Sequence, residues 1–367
     1  MNTIQDMAFE TISKRALYGL RLVYSDFQQT ESNIVSVQNQ KKLHEIMGLL
    51  IEKLHKNPVI LNLPDNKDEA YQAWEVNNMK PELDKVYQTI FKNLFEFYKF
   101  LYMSALHGKI DEVPLAPRIG CLSISSAELK ANKVAFKPVY KTLLNEVGIE
   151  ISSDKAVVSI NADEGVLQSL KLLAEKVPVN VNKWTSFVLS NFACCSFTGD
   201  FSYLLQRTDI ANNLDGLTFV LQKEAIDKDY TQSIECKMTA TSIDFTISFK
   251  NGVGGFQIGY NPRKYKPFYF GTANGIGEKA MLEDFDNLDE DLKEHFVSIC
   301  RPCNGCLGCT KSGNNKTFTT TVIHNAKEYK LCPCFPCHSW DTMDRRLIDL
   351  LFKYHDAQNI YGVDWKK

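Results

Sequence analysis

Seven of the eleven cysteines lie between Cys300 and Cys337. Four of them run as Cys300-x2-Cys303-x2-Cys306-x2-Cys309, and after a polar stretch the chain continues Cys332-Pro-Cys334-Phe-Pro-Cys337-His338. Thiolates three residues apart on a turning loop converge on one ion, and a tetrahedral metal draws four such ligands from two separated segments. Gly305 and Gly308 let the first segment turn back on itself. Two ligand sets satisfy the spacing. One joins Cys303, Cys306 and Cys309 to Cys332; the other pairs Cys303 and Cys306 with Cys334 and Cys337. The surplus thiols, with His324 and His338 close in sequence, leave room for a second ion. Soft thiolates and the lack of a redox partner motif favour zinc. The alternative is an iron–sulfur cluster. Cys300, Cys303 and Cys306 fit the first half of the bacterial ferredoxin run, but the next spacing is one residue short and Thr310, not proline, follows Cys309. Four thiolates close the coordination sphere, so the zinc is expected to be structural. The seven histidines show no H-x3-H or H-E-x-x-H pair that would mark a catalytic zinc.

Other reactive residues read as structure. Cys194 and Cys195 stand beside Phe192, Phe197 and Phe201, which marks a buried apolar segment with inert thiols. Cys121 and Cys236 are isolated and read as core. The glycine string Gly252–Gly259 leads into a strand, and Gly271–Lys279 lacks the Gly-Lys-Ser/Thr ending of a phosphate loop, so both read as turns. The strip Tyr260–Tyr269 mixes Arg263, Lys264 and Lys266 with aromatics, a pattern that can track a nucleic-acid strand. An edge strand guarded by lysines is the preferred reading.

The string Cys303-Asn-Gly-Cys306-Leu-Gly-Cys309, followed by Leu331-Cys332-Pro-Cys-Phe335-Pro336 and Trp340, resembles the tail of a group of uncharacterised bacterial proteins. These carry a C-x-G-C-x-x-C segment ahead of an L-C-P-x-F-P segment. The resemblance implies Cys303, Cys306, Cys309 and Cys332 as the metal set and leaves Cys300, Cys334 and Cys337 as departures from the pattern. It implies no activity.

The elements that must position these residues differ along the chain. Residues 1–108 read as a helical domain. Apolar residues recur at helical spacing from Met7 to Phe27 and again from Leu43 to Leu54, where Asn57-Pro58 stops the helix. A third helix should begin at Pro81 and end at Gly108 as its cap, with so many aromatics that two of its sides are buried. Ile110–Pro117 reads as a linker. Residues 118–295 read as an α+β domain with helices over 137–147 and 164–176, a strand over 156–160, and a hairpin about Asn251-Gly252. Carboxylates between Glu283 and Glu294 suggest a solvated helix face. Residues 296–361 form the zinc-ribbon-like cysteine module and a closing helix over 341–361. A net charge of −2 argues against a nucleic-acid coat. With no signal-peptide layout and no apolar run near the roughly 18 residues a bilayer requires, the expected compartment is the cytoplasm. There the cysteines stay reduced and available to metal. The expected class is a binding or regulatory protein for a small molecule or a protein. An enzyme with an unmarked pocket between the first two domains is the rival reading.

Overall fold

The structure is a computed structural model and describes residues 11–24, 27–64, 74–75, 78–79, 81–112, 119–177, 179, 181, 191–198, 231–238, 243–249, 255–262, 268–272, 284–299 and 320–331. They divide between two compact units. The first unit contains the described residues up to Thr198 together with Met238, Ile243 and Tyr260–Pro262.

Helix α1 (Ile12–Val23) begins where the Thr11 hydroxyl accepts from the Lys14 amide at 3.2 Å. Its Ile12, Ala16, Leu20 and Val23 are buried, matching the expected face. Helix α2 (Val37–Lys56) is capped by Ser36 in the same way and stops before Pro58, as the sequence predicts. A two-residue pair, β1 (Trp74–Glu75) with β2 (Asn78–Met79), precedes the longest helix, α3 (Pro81–His107). Buried Tyr87, Phe91, Leu94, Phe97, Tyr98, Phe100, Leu101 and Tyr102 wrap well beyond a single stripe. The aromatic run is therefore core, as its width suggested.

Gly108 ends α3 but is not the left-handed cap that the sequence suggests, since its φ is not positive. It is required by crowding. A Cβ there would overlap the Ser104 carbonyl and come within 2.8 Å of Leu122 Cδ1. The last carbonyls of this region are satisfied from outside, by Lys171 Nζ donating to the oxygens of Ala105 and Gly108 at 3.0 and 2.7 Å.

The chain then enters a four-stranded antiparallel sheet of order β3-β4-β6-β5: β3 (Lys109–Glu112), β4 (Ile119–Ser125), β5 (Glu150–Ser153) and β6 (Val157–Asp163). Ile110–Glu112, expected as the start of a linker, pair with β4 instead. Alternation puts Leu122 and Ile124 of β4 opposite Ile160 and Val158 of β6 on the buried face. Cys121 falls on the opposite face. It is half-buried rather than core, with its thiol 3.3 Å from Ser123 Oγ. Between β4 and β5 lie α4 (Ser126–Ala131) and α5 (Pro138–Asn145), and α6 (Glu164–Lys176) follows β6. Helix α6 lies against β4, α2 and α3 and closes this core.

The second unit holds a four-stranded sheet of order β10-β9-β8-β7: β7 (Thr231–Met238), β8 (Ile243–Phe249), β9 (Gly255–Tyr260) and β10 (Phe268–Thr272), apart from Met238, Ile243 and Tyr260. Strands β8 and β9 are hydrogen-bonded neighbours on either side of Asn251-Gly252, as the alternation predicts. Next come α7 (Glu290–Ile299) and the hairpin of β11 (Thr320–His324) with β12 (Lys327–Leu331). Asp286, Asp289, Glu290, Asp291 and Glu294 are exposed, so the acidic run is a solvated face. The chain mixes helices with antiparallel sheet, the α+β class. No helix of the described residues is long and apolar enough to cross a membrane. The helix expected over 341–361 lies outside the described residues.

Candidate functional site

Cys300, Cys303, Cys306, Cys309, Cys332, Cys334 and Cys337 all lie outside the described residues. What is described is the element between the two cysteine segments. Strands β11 and β12 pair antiparallel through Thr320↔Leu331, Val322↔Tyr329 and His324↔Lys327, joined by the two residues Asn325 and Ala326. Both have positive φ, 49° and 59°. That is the backbone of a type I′ hairpin turn, whose twist matches that of the strands it joins. Thr320 and Leu331 thus face each other at the open end, their Cα atoms about 5 Å apart. The chain arrives from Cys309 at one of them and leaves for Cys332 immediately after the other.

The same register separates His324 from that end. Four strand steps of about 3.4 Å place it about 14 Å from Thr320. His324 thus sits at the turn end of the hairpin, away from Leu331, the residue that Cys332 follows in sequence. It has other company. Its ring meets Phe285 edge-on at a 6.2 Å centroid distance, and Nδ1 lies 3.7 Å from the Glu290 carboxylate. The Asn325 amide is 3.2 Å from its Nε2. Val322 and His324 are buried on this face, while Thr321 and Ile323 are exposed on the other. Glu290 is held below the usual carboxylate range, chiefly by its hydrogen bond to Lys293.

A second cluster of polar side chains lies in the first unit. Cys194 and Cys195 sit in a turn over residues 191–195, each 2% exposed, with Phe192 and Phe197 buried around them. Cys195 has φ 54°, uncommon for a residue with a side chain. Phe192 packs edge-on against Tyr102 of α3 at 5.1 Å. Past Cys195 the Thr198 hydroxyl donates to the Gln28 side-chain oxygen. Tyr24, just beyond α1, stacks on His44 of α2 at 4.5 Å, its hydroxyl 2.9 Å from His44 Nδ1 and also donating to the His44 carbonyl. The hydroxyl has one proton. Given to the carbonyl, it leaves Nδ1 as the donor of the second bond.

Three groups here are biased toward their neutral forms. Burial pushes the Cys195 thiol and the Tyr24 and Tyr98 phenols up, and the neighbouring thiols raise both phenols further. A thiol that does not ionise is neither a nucleophile nor a ready metal ligand. The flanking phenylalanines had indicated this inertness. The Tyr24–His44 pairing had no sequence signal, because its partners come from different elements. Among the described residues, no group of three His, Cys, Asp or Glu side chains is arranged to hold a metal.

The basic aromatic strip gives no support to a nucleic-acid face at its first residue. Tyr260 is 2% exposed, its hydroxyl donates to the Arg15 carbonyl at 2.6 Å, and its ring leans on Tyr18. A buried ring cannot stack on a base. Arg263, Lys264 and Lys266 lie outside the described residues.

No protein family, curated protein or solved structure matches the chain.

Proposed function

We propose that the protein is a binding or regulatory protein whose last third is organised by one structural zinc ion on Cys303, Cys306, Cys309 and Cys332. The observation that carries this reading is the register of the 320–331 hairpin. A site of four thiolates needs ligands from two segments brought to one place. Pairing of Thr320 with Leu331 supports this reading, because Cys332 follows Leu331 directly in sequence and the stretch after Cys309 leads to Thr320. Cys332 follows the last residue of β12 directly, which favours it over Cys334 and Cys337 as the ligand from the second segment. Zinc fixed by four thiolates has no open position for a substrate, so its contribution is folding energy. The partner is then a small molecule or a protein, and neither a nucleic acid nor a membrane.

Metal analysis with an optical spectrum tests the reading. One zinc per chain in colourless protein is expected, with sulfur ligands at about 2.3 Å by X-ray absorption. Cys303→Ser, Cys306→Ser, Cys309→Ser and Cys332→Ser should each release it, and Cys300→Ser should not. Iron and sulfide with a broad visible band in anaerobically purified protein would replace zinc by a cluster. Loss of zinc in Cys334→Ser and Cys337→Ser, but not in Cys309→Ser and Cys332→Ser, would give the other ligand set.

A further inference from the structure

We infer that Lys99 of α3, with Lys133 beside it, is a reactive amine site for small carbonyl compounds that carry an anionic group. Every residue of the site belongs to the first unit, so the inference goes beyond the zinc reading and stands without it.

Lysine is almost never buried without a partner, because an ammonium taken out of water needs an opposite charge or acceptors in its place. Lys99 is 8% exposed. Among the described residues it makes no hydrogen bond and no ion pair, and its ammonium lies 5.8 Å from the centre of the Phe95 ring. The carboxylates of this neighbourhood are taken. Glu96, one turn earlier on α3, pairs with Lys137, while Glu128 of α4 accepts from Asn132 and faces His107. What stands near Lys99 instead is a second cation, Lys133.

Lys133 is held there against its own backbone preference. Helix α4 packs on α3 and ends in a Schellman turn. The Lys133 amide donates to the Lys130 carbonyl at 3.0 Å, and the Val134 amide to that of Leu129 at 2.9 Å. The residue at this point of the turn has positive φ and is usually glycine; here it is Lys133, at φ 55°. Phe136 then rests on Phe100 at 5.7 Å and keeps the segment over α3. Two locally unfavourable choices, a buried lysine without a counterion and a lysine in a glycine's place, thus bring two ammonium groups together. Conflicts of this kind concentrate at functional sites.

Burial first, and then the Lys133 charge, disfavour the ammonium form of Lys99 and hold it below the usual lysine range. The Phe95 ring favours the charged form only weakly at its distance. An amine desolvated beside another cation is an activated nucleophile. The stem of Lys99 is buried but its nitrogen is not fully enclosed, so a small molecule reaches it. The neutral nitrogen adds to the carbonyl carbon. The carbonyl oxygen leaves as water with both amine protons, and a C=N bond replaces C=O. Lys133 is exposed, with no carboxylate paired to it among the described residues, and meets the anionic group of the same molecule.

The test uses the full chain, pyridoxal 5′-phosphate as the probe, borohydride to reduce the imine, and peptide mapping by mass spectrometry. Lys99 is expected to carry the reduced adduct ahead of exposed lysines such as Lys85 and Lys141. Lys133→Gly relieves the left-handed backbone, so it should be at least as stable to urea, yet labelling of Lys99 should fall about fivefold, the scale of one exposed ion pair. Lys133→Asn, of a type that tolerates the same φ, should behave alike. Pyridoxal, the same aldehyde without the phosphate, should label Lys99 more slowly. Labelling of Lys99 no faster than of the exposed lysines overturns the inference. So does undiminished labelling in the two Lys133 variants, or equal labelling by pyridoxal, since either leaves Lys133 without a part. None of these outcomes touches the zinc reading.

Discussion

Gly48 lies inside α2, where a glycine normally weakens a helix and alanine would improve it by roughly 0.8–1.0 kcal/mol. Here the opposite sign is expected. A Cβ at position 48 would sit 2.5 Å from the Tyr24 hydroxyl oxygen and 2.6 Å from Cζ. The Tyr24 ring cannot simply withdraw, since it is stacked on His44 and bonded to it twice. Overpacking of this kind costs roughly 1–3 kcal/mol, which exceeds the propensity gain. Gly48→Ala should therefore lower stability by about 1 kcal/mol, measured by urea denaturation. A more stable variant would mean that Tyr24 yields at little cost. Single residues are where sequence reasoning is weakest, and Cys121 shows why. An isolated cysteine suggests core, yet the pleat of β4 gives the interior to Leu122 and Ile124 and turns Cys121 outward. Which face a strand residue takes is fixed by its neighbours' register, not by its own type.

At the scale of elements, α6 shows how a local signal and a tertiary contact combine. Its span, 164–176, is legible in the sequence, where proline follows it at position 178, and the structure adds Asp163 as its cap. What the sequence does not carry is Lys42 of α2, whose Nζ lies 2.9 Å from Asp163 Oδ2. Partial burial works to raise the Asp163 carboxyl, but the Lys42 ammonium and the amides of Val166 and Gly165 outweigh it and hold it below the usual carboxylate range. A carboxyl whose folded pKa lies below its unfolded value contributes stability above the unfolded value, about 4 for aspartate, and loses it as pH falls through the folded one. Asp163→Ala is thus expected to cost about 1 kcal/mol at neutral pH. The gap from the unsubstituted protein should close as pH falls below that range. A gap that persists at acid pH would show that packing, not charge, is at stake. The hairpin β11–β12 is the element the sequence conceals most. Asn325-Ala326 lacks the glycine that advertises a two-residue turn, so a regular hairpin reads as polar spacer between the two cysteine segments. Gly108 misleads in the other direction. It sits where a helix cap belongs, yet crowding, not φ, requires it.

For the whole molecule, the division into two units bears on what the proposed zinc ion would stabilise. Among the described residues the core of the first unit is built mainly from side chains of α1, α2, α3, α5, α6 and the β3–β6 sheet, joined by Phe192, Phe197 and Tyr260. No cysteine of the 300–337 cluster belongs to that unit. Burial of this much apolar surface sustains a core without metal, whereas in the 320–331 hairpin Val322 and His324 are buried on one face and Thr321 and Ile323 are exposed on the other. Metal-coupled folding energy should then be confined to the second unit. Hydrogen exchange read by mass spectrometry, before and after zinc is removed by chelation, distinguishes the two. Peptides spanning 84–107 and 157–176 are expected to keep their protection, since amides in a closed core exchange only through its opening. Peptides spanning 320–331 should lose protection on zinc removal and regain it when zinc is returned. If protection over 84–107 falls by a similar factor, the first core depends on the metal and the two units do not fold independently. If protection over 320–331 does not change, the hairpin stands without zinc and the cysteines serve some purpose other than holding it closed.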